Sequence, residues 1–129
     1  MSPKHVFHPE DLLDFIELPP FTRRWGKLGL NDEDDLSSLQ LLIMLQPKKA
    51  PVVSGTKGLR KLRFAPPGWG AGKSGGTRVL YVYLEEFGFV LLCLIYDKHE
   101  VGNISKSVKA YLNKRIEEVE RELRRRFAD

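Results

Sequence analysis

The chain has 129 residues and a mass of 14.8 kDa, with 42% hydrophobic and 29% charged residues and a formal net charge of +4. That length suits one domain, here taken as residues 1–129, with a core of its own. The composition excludes a disordered, collagenous or rod-like chain.

The opening Met1-Ser-Pro-Lys-His5 lacks the apolar core of a signal peptide. Residues 1–13 are read as an N-terminal extension with no assigned element. Asp14 to Leu18 alternates and ends at Pro19-Pro20, which predicts a first strand. Phe21 to Leu28 suits a short helix closed by Gly29. Asn31 followed by Asp32, Glu33, Asp34 and Asp35 supplies a cap and first-turn acids for a second helix, favoured by the helix dipole. That helix runs through Leu36, Leu39, Leu42 and Ile43 to Pro47. Leu41, Met44 and Leu45 make it apolar almost all round, which predicts deep burial.

Beyond Pro51 the pattern changes to sheet. Leu59, Lys61 and Arg63 fall on one face of a strand, and Arg60, Leu62 and Phe64 on the other. Pro66 to Gly76 is too rich in glycine and proline to be anything but a loop. Thr77 to Leu84 is a second strand, Glu85 to Gly88 a turn, and Phe89 to Tyr96 a central apolar strand. Its core, Val90 to Tyr96, is the longest apolar run and far too short to cross a bilayer, which takes about 20 residues. The single cysteine, Cys93, lies within it and reads as a small buried hydrophobe. A reducing cytoplasm is the expected compartment. From a cap at Ser105 or Ser107 to about Phe127 the chain predicts one long helix. Its stripe is Val108, Leu112, Ile116, Val119, Leu123 and Phe127, widened by Tyr111. The expected class is α+β: a small antiparallel meander packed by two N-terminal helices and a long C-terminal helix.

Charge is unevenly spread. Leu36 to Leu84 contains no Asp or Glu, yet holds Lys48, Lys49, Lys57, Arg60, Lys61, Arg63, Lys73 and Arg78. Such a block points to an anionic partner, the bland alternative being a solvated basic face. Gly70-Ala-Gly-Lys-Ser74 imitates the end of a phosphate-binding loop. Pro67 stands where that loop needs its first glycine, and a strand follows where it needs a helix. His5 and His8 lack further ligands, His99 has only Asp97 and Glu100 nearby, and a lone cysteine excludes structural zinc. No metal and no cofactor are expected.

What remains is a cationic surface. Lys61, Arg63, Arg78, Lys98 and His99 gather on adjacent strands of the meander. Lys57, Arg60 and Lys73 add charge, and Trp69, Tyr81, Tyr83 and Tyr96 interleave. Cations bind phosphates and aromatics stack bases, so Lys57, Arg60, Lys73, Tyr81 and Tyr96 are candidate RNA contacts. Taken singly, each tyrosine reads better as core. The same set could cleave RNA without metal. The 2′-OH is the nucleophile, a group takes its proton, cations hold the growing phosphorane charge, and an acid protonates the leaving oxygen. His99 suits an acid near neutral pH, and a lysine among other cations suits a base.

Three segments in order carry a resemblance: Gly58-Leu-Arg-Lys-Leu-Arg-Phe-Ala65, then Gly72-Lys-Ser-Gly-Gly-Thr-Arg-Val-Leu-Tyr81, then Leu91 to Ile95 running into Tyr96-Asp-Lys-His-Glu100. Together they resemble the RelE/ParE superfamily, and within it the HigB-like branch of bacterial toxins. The resemblance implies a type II toxin–antitoxin toxin that enters the ribosome and cuts mRNA. It also implies a cognate antitoxin, of helix-turn-helix type, and no membrane partner. The family's catalytic cations fall on Lys61, Arg63, Arg78, Lys98 and His99, with Arg78 at the scissile phosphate. Family members also use a tyrosine shortly after the last strand. Here Gly102-Asn-Ile-Ser105 follows instead, which leaves the acid and the base unassigned. The same superfamily includes gyrase inhibitors that cut no RNA, and an inactive partner-binding domain is a third possibility.

Overall fold

The computed structural model describes residues 12–69, 76–100 and 104–128. The readings made for residues 1–11, and for Lys73 on the glycine-rich loop, lie outside them.

Four strands form one sheet in the order β1-β4-β3-β2: β1 Asp14–Glu17, β2 Arg60–Phe64, β3 Thr77–Leu84 and β4 Phe89–Asp97. The expected meander is β2-β3-β4, antiparallel throughout. β1 adds to β4 in parallel, with Asp14 opposite Phe89 and Glu17 opposite Leu92, so the complete sheet is mixed. Between Leu80 and Tyr81 the β3–β4 register shifts, because β4 carries one extra residue at that point.

The α1 helix, Pro19–Lys27, starts on two prolines, whose missing N–H groups cost nothing in the first turn. With α2, Ser37–Leu45, it covers one face of the sheet. Phe21, Trp25, Leu39 and Ile43 pack there on Phe64, Val79, Tyr81, Val90, Leu92 and Ile95. Trp25 stacks between Phe21 at 5.5 Å and Phe64 at 6.4 Å. The other face carries α3, Lys106–Arg126, whose Leu112, Ile116 and Leu123 pack on Leu59, Leu80, Val82, Leu91, Cys93 and Tyr96. Cys93 is fully buried, and burial pushes its thiol pKa up. Of the two candidate caps, Ser105 is used: its Oγ accepts from the Val108 N–H at 3.2 Å.

Two expectations about burial fail. Only Leu39 and Ile43 of α2 are buried, whereas Leu41, Leu42 and Leu45 are 40–44% exposed. A helix that lies on one face of a sheet buries a single stripe, and among the described residues nothing covers the outer side of α2. Tyr111 is also exposed and does not widen the stripe of α3, and Phe127 at its end is 60% exposed, with its ring 6.1 and 6.2 Å from those of Phe87 and Phe89. Among the described residues no helix is long and apolar enough to cross a membrane.

Candidate functional site

The cations meet at the open end of the β3–β4 hairpin. In the register Arg63 lies opposite Arg78, and Arg78 opposite Tyr96. Side chains directly opposite share a face. Lys61, two residues before Arg63, is on that face too. β4 ends at Asp97, and Lys98 and His99 follow in the turn beside Arg78's strand. Lys61, Arg63, Arg78, Lys98 and His99 are thus brought to one end of the sheet. Arg63 and His99 are exposed; Lys61, Arg78 and Lys98 are half-buried. The Arg78 guanidinium also donates to the Thr77 carbonyl at 3.2 Å. A cavity of about 870 Å³ opens along β2, walled by Leu42, Leu45, Lys49, Lys61, Arg63 and Arg78 among others. None of its described lining residues is acidic.

The loops around this end are pinned by polar groups. Gly76 has φ +55, and a side chain there would meet the Phe64 carbonyl at 2.5 Å, so only glycine lets the loop rejoin β3 at this point. Next to it the buried Thr77 hydroxyl donates to the same carbonyl at 2.8 Å. At the loop's other end Asp35 is 1% exposed and accepts from the Gly68 N–H at 3.1 Å and the Asn31 N–H at 2.9 Å. The sequence marks Asp35 only as one of four first-turn acids, yet it is the acid that ties the second helix to Gly68 at the start of the glycine-rich loop. Its signal was spacing: it stands four residues before Leu39 and eight before Ile43, on the buried stripe.

Four of the candidate RNA contacts are engaged elsewhere. Tyr81 and Tyr96 are 1% and 3% exposed, so neither offers a ring face for a base. The Tyr81 hydroxyl donates to the Pro47 carbonyl at 2.7 Å. Burial raises its pKa, with Arg60 pulling the other way. The Tyr96 hydroxyl is buried with no hydrogen-bond partner among the described residues. Burial raises its pKa as well, against the opposing charge of Arg78. Arg60 donates to the carbonyls of Lys48 and Ala50 at 2.8 and 2.7 Å, fastening the segment after α2 to β2. Lys57 pairs with Glu117 at 3.0 Å, and its N–H donates to Asn113 at 3.0 Å, which fixes it to α3. A strand pattern shows which residues alternate; it does not show which face a helix later covers. Of the other aromatics, Trp69 and Tyr83 are half-buried against the first core.

Among the described residues no cluster of three or more His, Cys, Asp or Glu is placed to hold a metal. The site's chemistry is cationic: guanidinium and ammonium groups on rigid strands, with one imidazole in a turn.

No family model matches the chain. Among solved structures, the chain is similar to E. coli toxin RelE in the free state, a variant with two arginines changed to alanine. The TM-score is 0.53 at 21% identity, over 81% of this chain and 96% of that one. It also matches the E. coli RelBE toxin–antitoxin complex, with a TM-score of 0.46 at 21% identity, over 65% of this chain and 92% of that one. The first match carries the assignment: a mixed four-stranded sheet between a two-helix layer and a C-terminal helix, which is the fold of RelE.

Proposed function

We propose that this chain is the toxin of a type II toxin–antitoxin pair, of the HigB-like branch, and that it is a ribosome-dependent endoribonuclease cutting mRNA without metal. The observation that supports the reading most is the cationic row: Arg63 and Arg78 face to face across adjacent strands, Lys61 beside them, and Lys98 and His99 in the next turn. Like charges gathered on a rigid sheet repel one another unless an anion offsets them. The shared fold of a toxin and the three sequence segments point the same way.

In this reading Arg78 and Arg63 hold the scissile phosphate and the charge that grows on it. A lysine, Lys61 or Lys98, takes the proton of the 2′-OH as that oxygen bonds to phosphorus. The bond to the 5′ oxygen breaks, and His99 protonates that oxygen as it leaves. An imidazole suits this step because its ordinary charge change falls between pH 5 and 8. The products are a 2′,3′-cyclic phosphate and a 5′-hydroxyl. The partner in this reading is a small antitoxin encoded beside the gene, of helix-turn-helix type, and the place of action is the cytoplasm.

In vitro translation with toe-printing tests the reading. A cut that appears only with ribosomes present supports it. Stabilised gyrase–DNA cleavage complexes without RNA cleavage would replace it by gyrase inhibition. Absence of both, with no neighbouring gene product co-purifying, would leave an inactive binding domain.

A further inference from the structure

Lys98 and His99 stand in a four-residue turn that closes on itself. The Glu100 N–H donates to the Asp97 carbonyl at 2.9 Å, and the His99 N–H to the Asp97 carboxylate at 2.9 Å. The Asp97 N–H donates in return to Glu100 Oε1 at 2.8 Å. These bonds set the turn's shape and say nothing of where it points. The β3–β4 ladder fixes its first residue, Asp97, opposite Thr77; beyond Asp97, two longer-range links among the described residues hold its direction relative to Arg78. On one side the Lys98 N–H donates to the Gly76 carbonyl at 3.4 Å, a long bond. On the other, the second Glu100 oxygen pairs with the guanidinium of Arg24, 76 residues earlier in the chain.

Arg24 is well placed to act as an anchor. It lies in the last turn of α1, beside Trp25, which is buried and stacked on Phe64 of β2. Phe21, one turn earlier, is fully buried. The backbone that carries Arg24 is therefore fixed to the same sheet that carries Arg63 and Arg78. We infer that the Arg24–Glu100 pair is a clamp that holds the Lys98–His99 turn in place against Arg78, and that Arg24 is a positioning residue of the site. The positioning role rests on the ribonuclease reading above. Glu100 serves both parts of the clamp at once, one oxygen on the turn and the other on the helix. The Arg24 hydrogen bond, more than any other influence, holds its carboxyl below the usual carboxylate range. A half-exposed pair of this kind contributes little to global stability, so a defect on its removal is a matter of geometry.

Hydrogen exchange of the Asp97 and His99 amides, followed by NMR, tests the clamp without any RNA. Single-turnover cleavage in the ribosomal assay tests its purpose. In Arg24→Ala both amides should exchange about tenfold faster, as expected when a local opening equilibrium shifts. The thermal midpoint should stay that of the wild type and the cleavage rate should fall. Arg24→Lys, which keeps the charge, should recover part of both. Wild-type exchange in Arg24→Ala overturns the clamp whatever the RNA result. Faster exchange with undiminished cleavage overturns the positioning role. Faster exchange in a protein whose wild type cuts no RNA supports the clamp and overturns the ribonuclease reading instead.

Discussion

The β3–β4 hairpin has two ends built on opposite rules. At the closed end, Phe127 of α3 lies on Phe87 and Phe89, and the turn acids meet cations: Glu85 with Lys48 at 2.8 Å, Glu86 with Arg124 at 3.8 Å. Apolar rings pack and charges pair there. At the open end Arg63 faces Arg78, with Lys61 and Lys98 close by in the fold. Polar groups around them, Asp35, Thr77 and Glu100, accept or donate hydrogen bonds that hold backbone in place. At the closed end the ring contacts favour the fold modestly and the exposed ion pairs add little. The open end gathers like charges, whose repulsion an anion in the proposed site would offset.

The contrast can be broken first in the shared scaffold. Ile116, on the sheet-facing side of α3, is fully buried, so Ile116→Ala should cost about 2–5 kcal/mol of stability. Urea unfolding would show it as a lower midpoint, while cleavage per folded molecule stays unchanged. Loss of specific activity in the folded fraction would mean that the α3 core and the open end are one unit.

At the open end the reverse is expected. Arg78→Ala should lower RNA cleavage by about 10²–10³-fold, or roughly 2.7–4 kcal/mol of transition-state stabilisation. The melting midpoint should hold. A variant that unfolds would make Arg78 a scaffold residue, and a fully active one would remove it from the site.

Asp35→Ala probes the boundary between the two. It leaves the N–H groups of Gly68 and Asn31 without their acceptor, at a cost of about 1–3 kcal/mol. Because the loop base is then released, cleavage should fall as well, beyond what the stability loss explains at a temperature where the protein stays folded.

The smallest change is expected at Tyr81, which separates core from RNA contact. Tyr81→Phe removes only the bond to Pro47 and should cost about 0.5–1.5 kcal/mol. RNA affinity, measured by fluorescence anisotropy with a labelled oligonucleotide, should not move. A marked loss would restore Tyr81 to the binding surface.

Much of this molecule follows from local pattern. Period-two alternation separates Lys61 and Arg63 from Arg60, Leu62 and Phe64, and the two sets do face opposite sides. The acid-free block, the meander and the Ser105 cap are likewise local matters of spacing and side-chain chemistry. The tertiary structure decided what depends on a distant neighbour. Residue order alone carries no direction for strand pairing, so β1 joins β4 in parallel without any mark in Asp14 to Glu17. Apolarity all round α2 could not reveal that one side would face outward. Nor could residue type show that Arg60 and Lys57 would hold the fold together while Arg63 stayed exposed. A cation's role is set by which carbonyls and carboxylates the folded chain brings within about 3 Å of it, and only closure of the sheet determines that.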